Sequence, residues 1–150
     1  MNKVESEEAV KFIKVGREST YHFIDLLYRT DWHFEKKTSE GIKLYSLTGQ
    51  NEPHNYVRFE TKFGQVTVAE LVEYFTDIDK RVAWEGNYYA SLEQVKEYPL
   101  NTSMYYGKMA QKRGAFDSLF LSHGVQIKGN RQYLTCVTVQ HGDYPPQKKV

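Results

Sequence analysis

The apolar positions of the chain form one central helical pattern with strand patterns on either side. Thr67 to Glu85 (TVAELVEYFTDIDKRVAWE) places Val68, Leu71, Val72 and Phe75 at i, i+3, i+4 and i+7, the spacing that gives a helix one apolar face. Thr67 followed by Glu70 has the spacing of a capping box and marks the helix start. The pattern then runs into a charged and aromatic tail of Asp77, Asp79, Arg81, Trp84 and Glu85. Upstream, Val10, Ile13, Tyr21, Ile24, Leu27 and Tyr28 recur at helical spacing within residues 5–30, with acids early and Arg29 late, as the helix dipole favours. Gly16 is expected to split or bend that helix.

Between the two helices lie three strand patterns. Trp32–Glu35 begins one, Ser39–Gly41 turns, and Ile42–Leu47 alternates apolar and polar as a half-buried strand does. A loop holding Pro53 follows, and Tyr56–Phe63 is rich in strand formers. After the central helix come Tyr88–Lys96, a break at Tyr98–Asn101, Thr102–Met109, a loop at Arg113–Asp117, and Leu119–Lys128. Gly129-Asn130 is a hairpin turn leading into Arg131–His141, expected to be the longest strand, and Pro145-Pro146 ends it. Helix, three strands, helix and about four strands predict an α+β fold with helices packed on antiparallel sheet.

Composition narrows the function classes. A chain of 150 residues fits one domain, spanning residues 1–150. Twenty basic and nineteen acidic residues give a net charge of +1, so no strong field points to nucleic acid or to an anionic membrane. Aromatics make up 15%, with twelve Tyr and eight Phe, which suits strands or a partly polar cavity. Cys136 is the single cysteine; in its apolar strand it is expected to be a buried, inert thiol, and it excludes an internal disulfide. No apolar run approaches the ~20 residues that span a bilayer, and the charged N-terminus has no signal core, so a cytoplasmic location is expected. The five histidines show no HExxH or other tight metal spacing, and there is no G-x-S-x-G elbow or phosphate loop. Catalysis, metal and cofactors are therefore not expected.

The set of motifs taken together resembles the START (StAR-related lipid-transfer) domains. The segment DIDKRVAWE (Asp77–Glu85) is similar to that family's D-x-D-x-R-x-x-W-D/E pattern. Trp32, GIKLYSLTG (Gly41–Gly49), YVRFE (Tyr56–Glu60), TSMYYGKM (Thr102–Met109) and TCVTVQHGDYPPQKKV (Thr135–Val150) follow in the family's order. The resemblance implies a helix-grip fold: a curved antiparallel sheet, an N-terminal helix, and a short helix between the third and fourth strands, enclosing a tunnel for one lipid. It also implies that the chain stops before the family's last strand and lid helix, and a lidless cavity would favour a homodimer or another protein partner.

The resemblance also supplies the candidate site. In the phosphatidylcholine-binding branch an Arg and an acid at the positions of Arg81 and Glu85 lie by the lipid headgroup, and an aromatic at the position of Tyr106 faces the choline. Guanidinium suits a phosphate oxygen, and an aromatic face suits a quaternary ammonium. Read from spacing alone, Arg81 and Glu85 are equally a surface ion pair of ~0–1 kcal/mol. Phe75 would supply an apolar wall and Trp84 a core anchor. The sterol branch's acid–arginine pair falls on Gly107 and His123, so that pair is missing; His123 is either a satisfied structural histidine or a polar cavity contact. The expected function is binding, and with it transfer, of one lipid, a phospholipid rather than a sterol, with transient membrane contact. The alternative is a lidless module for protein interaction or dimerisation.

Overall fold

The structure is a computed structural model that describes residues 3–49, 54–86, 88–109 and 116–145. The centre of the expected Pro53 loop, residues 113–115 of the expected glycine loop, and the chain from Pro146 onward lie outside the described residues. The elements are α1 (Lys3–Leu27), β1 (His33–Lys37), β2 (Lys43–Leu47), β3 (Tyr56–Glu60), α2 (Val68–Thr76), α3 (Ile78–Glu85), β4 (Tyr89–Tyr98), β5 (Thr102–Met109), β6 (Phe116–Ile127) and β7 (Arg131–Thr138). The strands pair as two antiparallel meanders, β1-β2-β3 and β4-β5-β6-β7, and neither closes into a barrel. The fold is α+β, as the element order predicts. Contacts divide it into two compact units, residues 1–24 with 67–150, and residues 25–66.

In the smaller unit, the Trp32 indole N–H donates to the Leu26 carbonyl at 2.9 Å. The Arg58 guanidinium stacks on Trp32 and Tyr45, 5.4 and 4.8 Å from their centroids, and pairs with Glu60. Trp32 thus holds the start of this unit in place through its ring and its N–H.

In the larger unit, the four-stranded sheet is covered on both faces. Ala9 and Phe12 of α1 pack on Tyr98, Met104, Leu119 and Leu121. Ile78 and Val82 of α3 pack on the opposite face, against Leu92, Tyr105 and Phe120. Successive residues of a strand point to opposite faces, so Met104 and Leu121 belong to the α1 side and Tyr105 and Phe120 to the α3 side. Burial on both faces explains why β5 and β6 show no apolar–polar alternation.

Three local expectations change. Gly16 does not interrupt α1, which is continuous; the buried stripe is Ala9, Phe12, Gly16 and Thr20, while Val10 and Tyr21 face outward. Gly16 sits where the helix meets His123 of β6, and a Cβ there would lie 2.6 Å from the imidazole Cγ. Ala9, Gly16 and Thr20 let this helix approach the sheet closely, with Phe12 as its large buried apolar anchor. The central helix is two helices. Thr67 closes its capping box with Glu70 as expected, its backbone N–H donating to the Glu70 carboxylate at 2.8 Å. Asp77 then ends α2, its N–H donating to the Glu73 carbonyl, and caps α3 by accepting from the Lys80 N–H at 3.0 Å. An Asp that caps better than it continues a helix divides the run there. The longest strand is β6, twelve residues beginning at Phe116, rather than β7, which spans eight.

The β4–β5 and β6–β7 hairpins, at one end of the four-stranded sheet, each turn through two residues at positive φ. Between β6 and β7 these are Gly129 (φ 85°) and Asn130 (φ 59°), as the sequence predicts. Between β4 and β5 they are Leu100 (φ 61°) and Asn101 (φ 51°).

Candidate functional site

The strongest concentration of chemistry lies where α3 meets the sheet. The capping Asp77 fixes the start of α3, and 3.6-residue periodicity then turns Ile78, Arg81, Val82 and Glu85 toward β4–β6. Arg81 is 8% exposed, the one charged side chain in the α3 contact with so little access to water. Its Nε–H donates to Glu85 Oε2 at 2.7 Å, and its guanidinium carbon lies 5.1 Å from the Phe120 ring centroid. Phe120 stacks on Tyr105, with centroids 5.4 Å apart and planes 17° apart. The Tyr105 hydroxyl donates to the Thr76 carbonyl at 3.4 Å, joining the end of α2 to the same wall.

The electrostatics follow from this shelter. Burial opposes the Arg81 charge, but the Glu85 hydrogen bond and carboxylate charge outweigh it and raise its pKa above the ordinary arginine value. Tyr89 is raised chiefly by burial, with Arg81 opposing the shift, and Tyr105 is likewise raised chiefly by burial. The tyrosines are therefore neutral hydroxyls near neutral pH, and Arg81 is the fixed cation. The pair is not the exposed ion pair that spacing alone allows: side-chain exposures of 10% and 18% put both charges in a sheltered site, where partner loss is costly. On the same face a cleft of about 340 Å³, which meets this wall at Tyr105 but does not include Arg81 or Glu85 in its lining, is formed by Val72, Thr76, Glu97, Ser103 and Ser122, among others. A guanidinium with an aromatic floor, a carboxylate at its side and neighbouring hydroxyls can hold a charged polar group by hydrogen bonds.

The other candidates separate. Phe75 meets Trp84 edge-on at 5.4 Å, and the Trp84 N–H donates to the Tyr74 carbonyl at 2.9 Å, so the two rings clasp α2 to α3. Trp84 is 50% exposed and is a clasp rather than a core anchor. Tyr106 and His123 lie on the α1 face, across the sheet from Arg81. The Tyr106 hydroxyl donates to Asp117 Oδ2 at 2.7 Å, which raises its pKa, and its ring lies 6.2 Å from Tyr144. His123 Nδ1 shares a 2.7 Å hydrogen bond with the Thr102 hydroxyl, and its carbonyl accepts from Thr135. Thr135 in turn meets Thr20 of α1 at 3.2 Å. Burial and then the Arg17 charge lower the His123 pKa. His123 is thus a satisfied histidine in a buried polar row beneath the helix.

Residues the sequence reading passed over complete the α3 face: Tyr105, Phe120 and Tyr89. The usable signal is parity, since Tyr105 and Tyr106 must point to opposite faces. Cys136 is exposed, not buried. Among the described residues no cluster of three or more His, Cys, Asp or Glu is arranged to hold a metal, and no helix is long and apolar enough to cross a membrane.

No family model matches the sequence, and no curated protein is similar to it. Solved structures do match its fold. A STAR-related lipid transfer protein fragment from Xanthomonas axonopodis superposes with a TM-score of 0.62 at 18% identity, over 79% of this chain and 64% of that one. Human StAR-related lipid transfer protein 5 superposes with a TM-score of 0.73 at 15% identity, over 94% of this chain and 67% of that one. The fold is therefore shared with StAR-related lipid transfer proteins, and this chain spans about two thirds of their length.

Proposed function

We propose that this chain binds one lipid, a phospholipid, on the α3 face of its sheet and transfers it between membranes without covalent chemistry. The observation that carries the reading is the sheltered Arg81–Glu85 pair on the Tyr105–Phe120 wall. The terminal nitrogens of Arg81 would donate to the phosphate, and Glu85 would orient the guanidinium or meet a cationic headgroup. Burial of acyl chains would contribute ~0.8 kcal/mol per CH₂. Shared fold with lipid transfer proteins supports the reading. Tyr106, His123 and Phe75 are not part of this headgroup site in our account. The direct test is transfer of a fluorescent phospholipid between vesicles by wild type and by Arg81→Lys, which keeps the charge and the pair but loses the planar fork. We expect transfer by the wild type and roughly tenfold slower transfer by the variant; equal rates would remove Arg81 from the site.

A second reading, a module for protein interaction or dimerisation, has its own observation. Val57 and Phe59 are exposed on β3, an edge strand of the three-stranded sheet. A dimer by light scattering that Phe59→Lys dissolves would favour this reading, and a monomer at all concentrations would exclude self-association.

A further inference from the structure

The two hairpins at one end of the four-stranded sheet turn alike but carry different residues. Gly129 and Asn130 are suited to positive φ. At the matching place in the β4–β5 hairpin, Leu100 adopts φ 61°, where a leucine strains the backbone. That strain is not offset by packing, because the Leu100 side chain is 56% exposed. Strained, exposed leucine at a hairpin tip points to a use outside the fold.

Its neighbours define that use. The β6 register sets Thr102 opposite His123, and the Gly124 N–H donates to the Asn101 carbonyl at 3.0 Å, so both tips lie at the same end of the sheet. Ile127 is exposed where β6 ends, and Tyr21 is exposed on the second half of α1; together with Leu100 they line one groove of about 640 Å³ that also includes Arg17. Lys128 and Arg131 flank the second tip, both exposed. No carboxylate is among the residues lining this groove or forming the two turns. A chain of net charge +1 thus gathers three cations and three exposed apolar side chains at one end.

We propose that this end of the sheet, Leu100 and Ile127 with Arg17, Lys128 and Arg131, docks the protein on an anionic lipid bilayer. The apolar tips enter the interface while the basic side chains meet lipid phosphates, the combination that gives reversible peripheral binding. The surface lies apart from the Arg81 pair and does not require a lipid held there.

Co-sedimentation of the full chain with vesicles tests this, comparing phosphatidylcholine alone with mixed phosphatidylcholine and phosphatidylserine. We expect binding to the mixed vesicles that weakens with salt. Lys128→Gln with Arg131→Gln should bind roughly 30-fold more weakly, at about one kcal/mol per basic residue. Leu100→Asn should weaken binding about tenfold while melting no lower than wild type, because Asn tolerates the left-handed conformation. Absence of binding to mixed vesicles overturns the proposal, as does equal binding by the variants. A Leu100-dependent dimer in light scattering would also overturn it and make the tip a contact between copies. Sedimentation reads the tips and lipid transfer reads the Arg81 face, so each proposal can fail without the other.

Discussion

Gly16→Ala is the substitution whose sign most sharply separates the two roles a helical glycine can have. If Gly16 were a break in the helix, alanine would stabilise α1 by about 1 kcal/mol through propensity. The structure puts a Cβ there 2.6 Å from His123 Cγ, 2.7 Å from its Cβ and 2.9 Å from Nδ1. Carbon atoms pack at about 3.5–4.0 Å, so the interface would have to open by roughly 1 Å. The ring cannot turn aside cheaply, because it is buried and bonded to Thr102. Helix and sheet cannot part cheaply either, because Ala9 and Phe12 of the same helix face are packed on the same sheet. Overpacking of about 1–3 kcal/mol or more exceeds the propensity gain, and we expect a net loss of about 2 kcal/mol. For a chain of this length that is a drop of roughly 4–8 °C in melting temperature. A double-mutant cycle with His123→Ala completes the test: with the imidazole gone, Gly16→Ala should be neutral or stabilising. A higher melting temperature for Gly16→Ala in the wild-type background would refute the close-approach argument.

Three further outcomes rest on contacts elsewhere in the larger unit and on His123 itself. Arg81→Met should cost about 3 kcal/mol by chemical denaturation, since it leaves Glu85 sheltered and alone, whereas Arg81→Met with Glu85→Leu should restore most of that loss; equal costs would place the pair in solvent. Glu8 accepts from the Tyr98 hydroxyl at 2.6 Å and from Lys96 at 2.9 Å, and lies 3.1 Å from His141 Nε2. These bonds, Tyr98 first, lower its pKa to about 2 from the ordinary 4.5. The stability this gives is complete above pH 4.5 and is lost as pH falls toward 2; with a quarter of the side chain in water we expect about 1 kcal/mol, measured as the acid slope that Glu8→Gln removes. His123 has its pKa lowered by burial, so its contribution is present above its unfolded value of 6.5 and declines as pH falls below it; His123→Asn should flatten that part of the stability profile, and an unchanged slope would mean the ring is not sheltered.

Much of the fold was legible because local chemistry is explicit in it. Thr67 and Glu70 place a helix start to the residue, Gly129-Asn130 place a hairpin, and strand boundaries fall within a few residues of the alternating runs. The difference in α1 has a clear physical source. Sequence patterns weigh large apolar side chains, while this chain packs α1 through Ala9, Gly16 and Thr20 around the large anchor Phe12 and leaves Val10 and Tyr21 in solvent. The candidate site was legible only in part. Arg81 and Glu85 stood out by spacing and motif, and the structure joins them. Tyr106 was a choice by motif between adjacent tyrosines, and a strand buried on both faces offers no alternation to decide between them; Tyr105 is the one on the Arg81 face. The depth of the ion pair was also illegible, because it depends on Phe120 and Tyr105, which lie on strands well beyond α3 in the sequence. That depth matters for design: charge reversal at Arg81 would unfold the site before it tested the headgroup.

Whether one phospholipid is held at the Arg81 face is read by native mass spectrometry after incubation with mixed-lipid vesicles. We expect a one-to-one adduct with the mass of a phospholipid, retained by wild type and lost in the Arg81→Met, Glu85→Leu double variant while that variant stays folded. A protein that leaves such vesicles carrying no lipid of any class would contradict it.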